Sequence, residues 1–131
     1  MGPRRVDDLM AERVDKELLV YRAQTGETHA LNEAAAVVFE LCDGATSRGT
    51  MATEVARRCG LPADESIVDL ALTDLEEAGL IAAVEGDRPA VTRRALIRRL
   101  SLTAIAVATL PVVETITMTS AEAQAPAPVC L

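Results

Sequence analysis

Between Asp64 and Gly79 the chain carries Ile67, Val68, Ala71, Leu72, Leu75 and Ala78 at the spacing of one helical face. Such a stripe must leave water and pack against another apolar layer. Glu65, Asp69, Glu76 and Glu77 fall off the stripe and are expected to face solvent. Asp64 opens this predicted helix and Gly79 closes it. The other elements have to supply the covering layer.

Two shorter helices precede it. Asn32 suits an N-cap, because its side-chain oxygen can accept an orphan backbone N–H. The spacing predicts a helix over Ala34 to Cys42, with Val37, Val38 and Leu41 on one face, stopped by Asp43-Gly44. After a loop at Thr46 to Thr50, a second helix is expected from Met51 to Cys59, ended by Gly60 and Pro62. Upstream, Leu18-Leu19-Val20-Tyr21 favours a strand. Gly26 can supply the positive φ of a turn, and Thr28-His29-Ala30-Leu31 completes a hairpin. A weaker strand is expected at Met10 to Val14, turning at Asp15-Lys16. A sheet this small needs a helical cover. After the third helix, Leu80 to Val84 reads as a short extended segment and Glu85 to Pro89 as a turn or loop. The predicted fold class is therefore α+β and winged-helix-like: a small antiparallel N-terminal sheet, three helices, and a C-terminal apolar helical tail.

Composition bounds the chemistry. Half of the 131 residues are hydrophobic, yet Tyr21 and Phe39 are the only aromatics, so the core must be built from Ala, Val, Leu and Ile. The length suits one domain with a tail. Residues 1–91 hold nine basic against eighteen acidic side chains, and residues 92–131 hold four against two. An acidic body repels phosphate backbones. The third helix carries Asp64, Glu65, Asp69, Asp74, Glu76 and Glu77 and no Lys or Arg, which argues against a recognition helix and a nucleic-acid partner. A winged-helix DNA-binding regulator thus stands third among the readings.

Cys42, Cys59 and Cys130 form no C-x-x-C pair, and His29 is the single histidine, so no zinc spacing exists. Cys42 and Cys59 read as small buried apolar residues on helices. Cys130 is the one cysteine expected to be exposed, and the best thiol candidate. No nucleophile–base arrangement and no glycine-rich phosphate loop are present. We expect no enzyme activity, no catalytic residue, no metal and no cofactor. The N-terminus has no apolar run, and Val6 excludes a myristoylation motif.

Several phrases resemble the PqqD-like family of peptide chaperones, also called RiPP recognition elements. They are Leu18-Leu19-Val20-Tyr21, the run from Thr25 to Ala35 that includes Leu31-Asn32-Glu33-Ala34-Ala35, and Phe39-Glu40-Leu41-Cys42-Asp43-Gly44. Glu54-Val55-Ala56 and the Leu72, Leu75, Ala78-Gly79-Leu80-Ile81 ending of the third helix also fit. The resemblance spans roughly residues 9–84, and Ala45 to Gly49 departs from it as a longer stretch before the second helix. It implies a non-enzymatic domain, residues 1–91, that binds the leader of a ribosomal precursor peptide and presents it to a modifying enzyme. In such domains the leader adds as a strand beside the third strand. Mapped here, Thr28, His29, Ala30 and Leu31 form the edge, and Val68, Leu72 and Leu75 line the groove. Read on their own, the helix residues are core and His29 is a partly exposed strand residue.

The tail stands apart. Thr92-Arg93-Arg94-Ala95-Leu96-Ile97-Arg98-Arg99 leads into the apolar run Leu100 to Val113, then Glu114, a Thr-rich stretch and Ala123-Gln124-Ala125. This resembles a twin-arginine export signal in the wrong place, and Pro126 would hinder cleavage after Ala125. Residues 92–119 are expected to form a basic-apolar helix and residues 120–131 a disordered Ala/Pro-rich end. Three readings stay open. The tail is a membrane-associating helix with Arg93, Arg94, Arg98 and Arg99 at anionic headgroups on an otherwise cytoplasmic protein. It folds back onto the domain or a partner. Or it is a fused substrate, which makes the chain a precursor joined to its own recognition domain.

Overall fold

A computed structural model describes residues 2–82 and 91–116. The elements in chain order are β1 (Leu9–Val14), β2 (Glu17–Arg22), β3 (Glu27–Leu31), α1 (Glu33–Glu40), α2 (Arg48–Cys59), α3 (Glu65–Glu77), α4 (Arg93–Leu100), α5 (Ala104–Thr109) and β4 (Val113–Ile116). The fold is α+β: a four-stranded antiparallel sheet of order β1-β2-β3-β4 with helices packed on one face. The turn joining β1 to β2 places Asp15 at φ 57°, and that joining β2 to β3 uses Gly26 at φ 76°.

Alternation along the strands sends Leu18, Val20, His29 and Leu31 to the helix side, where all are buried. They meet Val37 and Val38 of α1, Met51 and Val55 of α2, and Ile67, Val68, Ala71, Leu72 and Leu75 of α3 in one cluster. On the opposite face no described element packs, and Met10, Tyr21 and Ile116 stand exposed there. With Phe39 the only buried aromatic, small aliphatic side chains let the three helices approach closely.

Helix boundaries follow the caps. The Asn32 side chain accepts from Ala35 N–H at 3.0 Å and starts α1. The second helix starts at Arg48 rather than Met51, because Ser47 accepts from Thr50 N–H at 3.2 Å and caps it. Asp43 accepts from the Ala45 and Thr46 amides at 2.9 and 2.8 Å, which orders the intervening loop and draws its carboxyl below the usual range. Gly60, at φ 70°, closes α2 in the left-handed region. The N-terminal segment threads past these ends, with Arg5 N–H donating to Cys42 O and Val6 N–H to Leu80 O.

Three further expectations change. Asp69 does not face water: it is 4% exposed and takes an ion pair from Arg48, which the earlier start of α2 brings within reach. The extended segment after α3 is observed as a single bridge between Ile81 and Arg5, while its end and the Glu85 to Pro89 loop lie outside the described residues. The continuous apolar helix of the tail is replaced by two short helices and a strand. Ser101, at φ 50°, ends α4; Thr103 caps α5; and Pro111, which lacks an N–H, prevents its continuation. Among the described residues no helix is long and apolar enough to cross a membrane.

Candidate functional site

β3 is short, and both of its edges are paired. One side bonds to β2, with Val20 opposite His29. The other bonds to β4, in which Val113, Glu114, Thr115 and Ile116 lie opposite Leu31, Ala30, His29 and Thr28. The stretch read from the sequence as an edge for a peptide therefore carries an extended peptide segment, drawn from the chain's own tail.

Asn32, just past the end of β3, fixes how that segment arrives. Its backbone N–H donates to Val112 O at 3.2 Å, its Nδ2 donates to Leu110 O at 2.7 Å, and its Oδ1 accepts from Val112 N–H at 3.0 Å. The same oxygen accepts from Ala35 N–H to cap α1. Pro111 has no N–H to satisfy, and its carbonyl accepts from Arg93 at 2.6 Å. Every backbone polar group from Leu110 to Val112 thereby has a partner, since Leu110 N–H reaches Val107 O. Leu110 is fully buried and Pro111 is buried with it.

His29 is the second contact. Its ring is 1% exposed, and Nδ1 lies 2.9 Å from Thr115 Oγ1. In an antiparallel ladder opposed residues alternate between hydrogen-bonded pairs and closer, unbonded ones. The Asn32 to Val112 bond puts the His29–Thr115 pair in the second class, where side chains stand nearest. Among the described residues His29 Nε2 has no hydrogen-bond partner, and Glu27 Oε1 lies 3.6 Å away. Burial holds the imidazole pKa below its ordinary value; Glu27 opposes this shift and Arg22 adds to it.

Behind β4 an open cleft of about 210 Å³ is lined by Asp74, Glu77 and Ala78 of α3 with Val113 and Thr115. Burial raises the pKa of Asp74, Arg93 opposes the rise and Glu77 adds to it. The helix residues expected in the groove sit deeper: Val68, Leu72 and Leu75 are fully buried in the core. Thr28 and Ala30 present backbone to β4, while His29 and Leu31 point toward the helices and are buried. His29 is thus enclosed, not partly exposed as expected from the sequence, because β4 covers the edge on which it stands.

The four tail arginines divide by role. Arg93 holds Pro111, and Arg99 reaches Asp64 at 3.2 Å and Ser66 at 2.6 Å. Arg94 and Arg98, with Arg93 and Ile97, line a second open cleft of about 600 Å³ on α4. No group of three or more His, Cys, Asp or Glu suited to a metal occurs among the described residues.

Sequence reasoning missed β4 and the second role of Asn32. A signal for the strand was present, since Val113, Thr115 and Ile116 are all β-branched. No comparable signal marked Asn32, whose tail partners are remote in sequence.

Residues 17–81 match the family model PqqD, described as coenzyme PQQ synthesis protein D. The match ends before the tail. No curated protein and no solved structure matches the chain.

Proposed function

Since residues 17–81 form a PqqD-like domain, we propose that the chain is a non-enzymatic peptide-binding protein that presents a ribosomal precursor peptide to a modifying enzyme. The peptide adds as a strand beside β3. Backbone groups of Thr28 and Ala30 supply affinity, and the inward side chains supply selectivity. One observation carries this reading: Val113–Ile116 is seated along that edge in antiparallel register. An edge that accepts one extended segment offers the same hydrogen-bonding groups to another of similar pattern.

The identity of the occupant favours a second reading, a precursor fused to its own recognition domain. Residues 117–131, Cys130 among them, follow directly from the seated strand. They are then the part offered to the enzyme, and β4 is a leader held in cis. A separate leader would instead have to displace β4.

Isotope-labelled full-length protein distinguishes the two. A leader peptide that shifts the amides of Thr28 to Leu31 and releases Val113 to Ile116 supports presentation in trans. A mass change confined to residues 117–131, after co-production with the modifying enzyme and no second peptide, supports the fused precursor. Neither change with any candidate leader or enzyme overturns both.

A further inference from the structure

The hydrogen bonds around Leu110 to Val112 are more selective than strand pairing alone requires. Strand addition is satisfied by backbone, and backbone carries no sequence. Here a side chain, Asn32, supplies both a donor to Leu110 O and an acceptor for Val112 N–H. The residue between them is proline, the one residue that brings no N–H of its own. Any other residue at position 111 would add a donor at a buried place where Asn32 has no acceptor left to offer. Its Oδ1 already serves Ala35 and Val112.

Farther along the strand, His29 Nδ1 finds its partner in the Thr115 hydroxyl. A side chain without a hydroxyl at that place would leave the buried ring with neither nitrogen hydrogen-bonded among the described residues, because Nε2 has only Glu27 Oε1 near it, at 3.6 Å. Thr115 follows Pro111 by four residues. That separation is set by the distance along β3 and its end between Asn32 and His29.

We propose that Asn32 and His29 read the occupant of the β3 edge, selecting an extended peptide that arrives through a buried Leu-Pro pair and carries Thr or Ser four residues after the proline. This rests on the peptide-binding reading above and names the ligand class of the same site. Asn32 fixes the register, because one amide side chain grips the peptide on both sides of the proline. His29 checks that register, since a slip of one residue turns the hydroxyl to the other face of the sheet. Leu110 anchors the arriving segment in the core.

Amide hydrogen exchange on the full chain tests this. The Asn32 N–H bonds to β4's side of the sheet, so by alternation the amides of Ala30 and Thr28 report whether the strand is seated. Asn32→Asp keeps the oxygen that caps α1 and replaces the donor to Leu110 O by a carboxylate oxygen that repels it. It should speed exchange at Thr28 and Ala30 by about tenfold while Ala35 and Ala36 stay protected. Thr115→Val and Pro111→Ala should each speed the same two amides by a similar factor, and Thr115→Ser should restore them. Equal loss of protection in α1 and at the edge in Asn32→Asp would reduce Asn32 to a helix cap and overturn the proposal. Unchanged exchange in Asn32→Asp or Thr115→Val would overturn it as well. Wild-type Thr28 and Ala30 exchanging like free amides would show that β4 is not seated and would overturn this proposal, while leaving the β3 edge open to a peptide in trans.

Discussion

His29 and Cys42 show what burial does to a titratable group in this small core. The His29 ring is enclosed by β4, and its folded pKa lies below the ordinary 6.5. Between that folded value and 6.5 the unfolded chain binds more protons than the native one. Stability is therefore complete above about pH 6.5 and declines as pH falls through that window, levelling off below the folded pKa. Thermal melts from about pH 7.5 down to about pH 5 should show a falling Tm, and His29→Asn should flatten the slope in that range. Asp43, Glu54 and Asp64 have lowered pKa values, so their losses come at lower pH. Asp74, whose pKa burial raises, gains stability as pH falls, and the comparison with His29→Asn isolates the histidine contribution. Cys42 is the thiol counterpart. It is fully buried, bonds Val38 O at 3.1 Å, and has a pKa pushed up to about 12, chiefly by burial. Alkylation at about pH 8, followed by peptide mass analysis, should mark Cys42 only once denaturant opens the fold.

At the scale of elements, α2 and α3 are joined by apolar packing and by ion pairs from Arg48, an exposed one to Glu65 at 3.7 Å and a half-shielded one to Asp69. Arg48 leaves the first turn of α2 and pairs with Asp69 in the middle of α3. The carboxylate is buried and the guanidinium about a third exposed, so solvent screens part of the pair. Arg48→Met would leave the Asp69 charge without its partner, and we expect a loss of about 1–3 kcal/mol, read from urea unfolding. The double change Arg48→Met with Asp69→Leu should recover much of it, because the cost lies in the stranded charge. The stripe that forms α3 is plain in the sequence, since Ile67, Val68, Ala71, Leu72 and Leu75 are buried where the period placed them. Asp69 is polar by type and buried by circumstance. No pattern within α3 could announce an arginine arriving from another helix. The tail was harder still: its apolar run has helical composition, and the strand inside it exists because β3 offers unpaired groups.

For the whole molecule, the tail completes the domain. Leu96 of α4 and Leu110 before β4 are buried in the same cluster as the α3 stripe. Truncating Leu110 to Ala should cost about 2–5 kcal/mol if the cavity stays open. It should also speed amide exchange at Thr28 and Ala30 before it affects the centre of α3, a gradient that exchange mass spectrometry resolves. Arg93 and Arg99 bind the tail to itself and to the start of α3. These two arginines, which one of the three readings of the tail places at anionic headgroups, take up intramolecular bonds, and the remaining pair, Arg94 and Arg98, lie exposed on α4.

Local chemistry determined much of this protein by itself. Apolar period, caps and turn residues placed three strands and three helices, since each of those signals acts between residues a few positions apart. The PqqD-like phrases lie within the same elements, and the family match over residues 17–81 agrees with them. The tertiary structure alone decided what occupies the β3 edge, because strand pairing joins Leu31 to Val113 through hydrogen-bonding groups that every residue possesses. It alone gave Asn32 its second partner and His29 its enclosure. Those contacts depend on where a remote segment comes to rest, and an amide or an imidazole reads the same in the sequence whether its partner arrives or not.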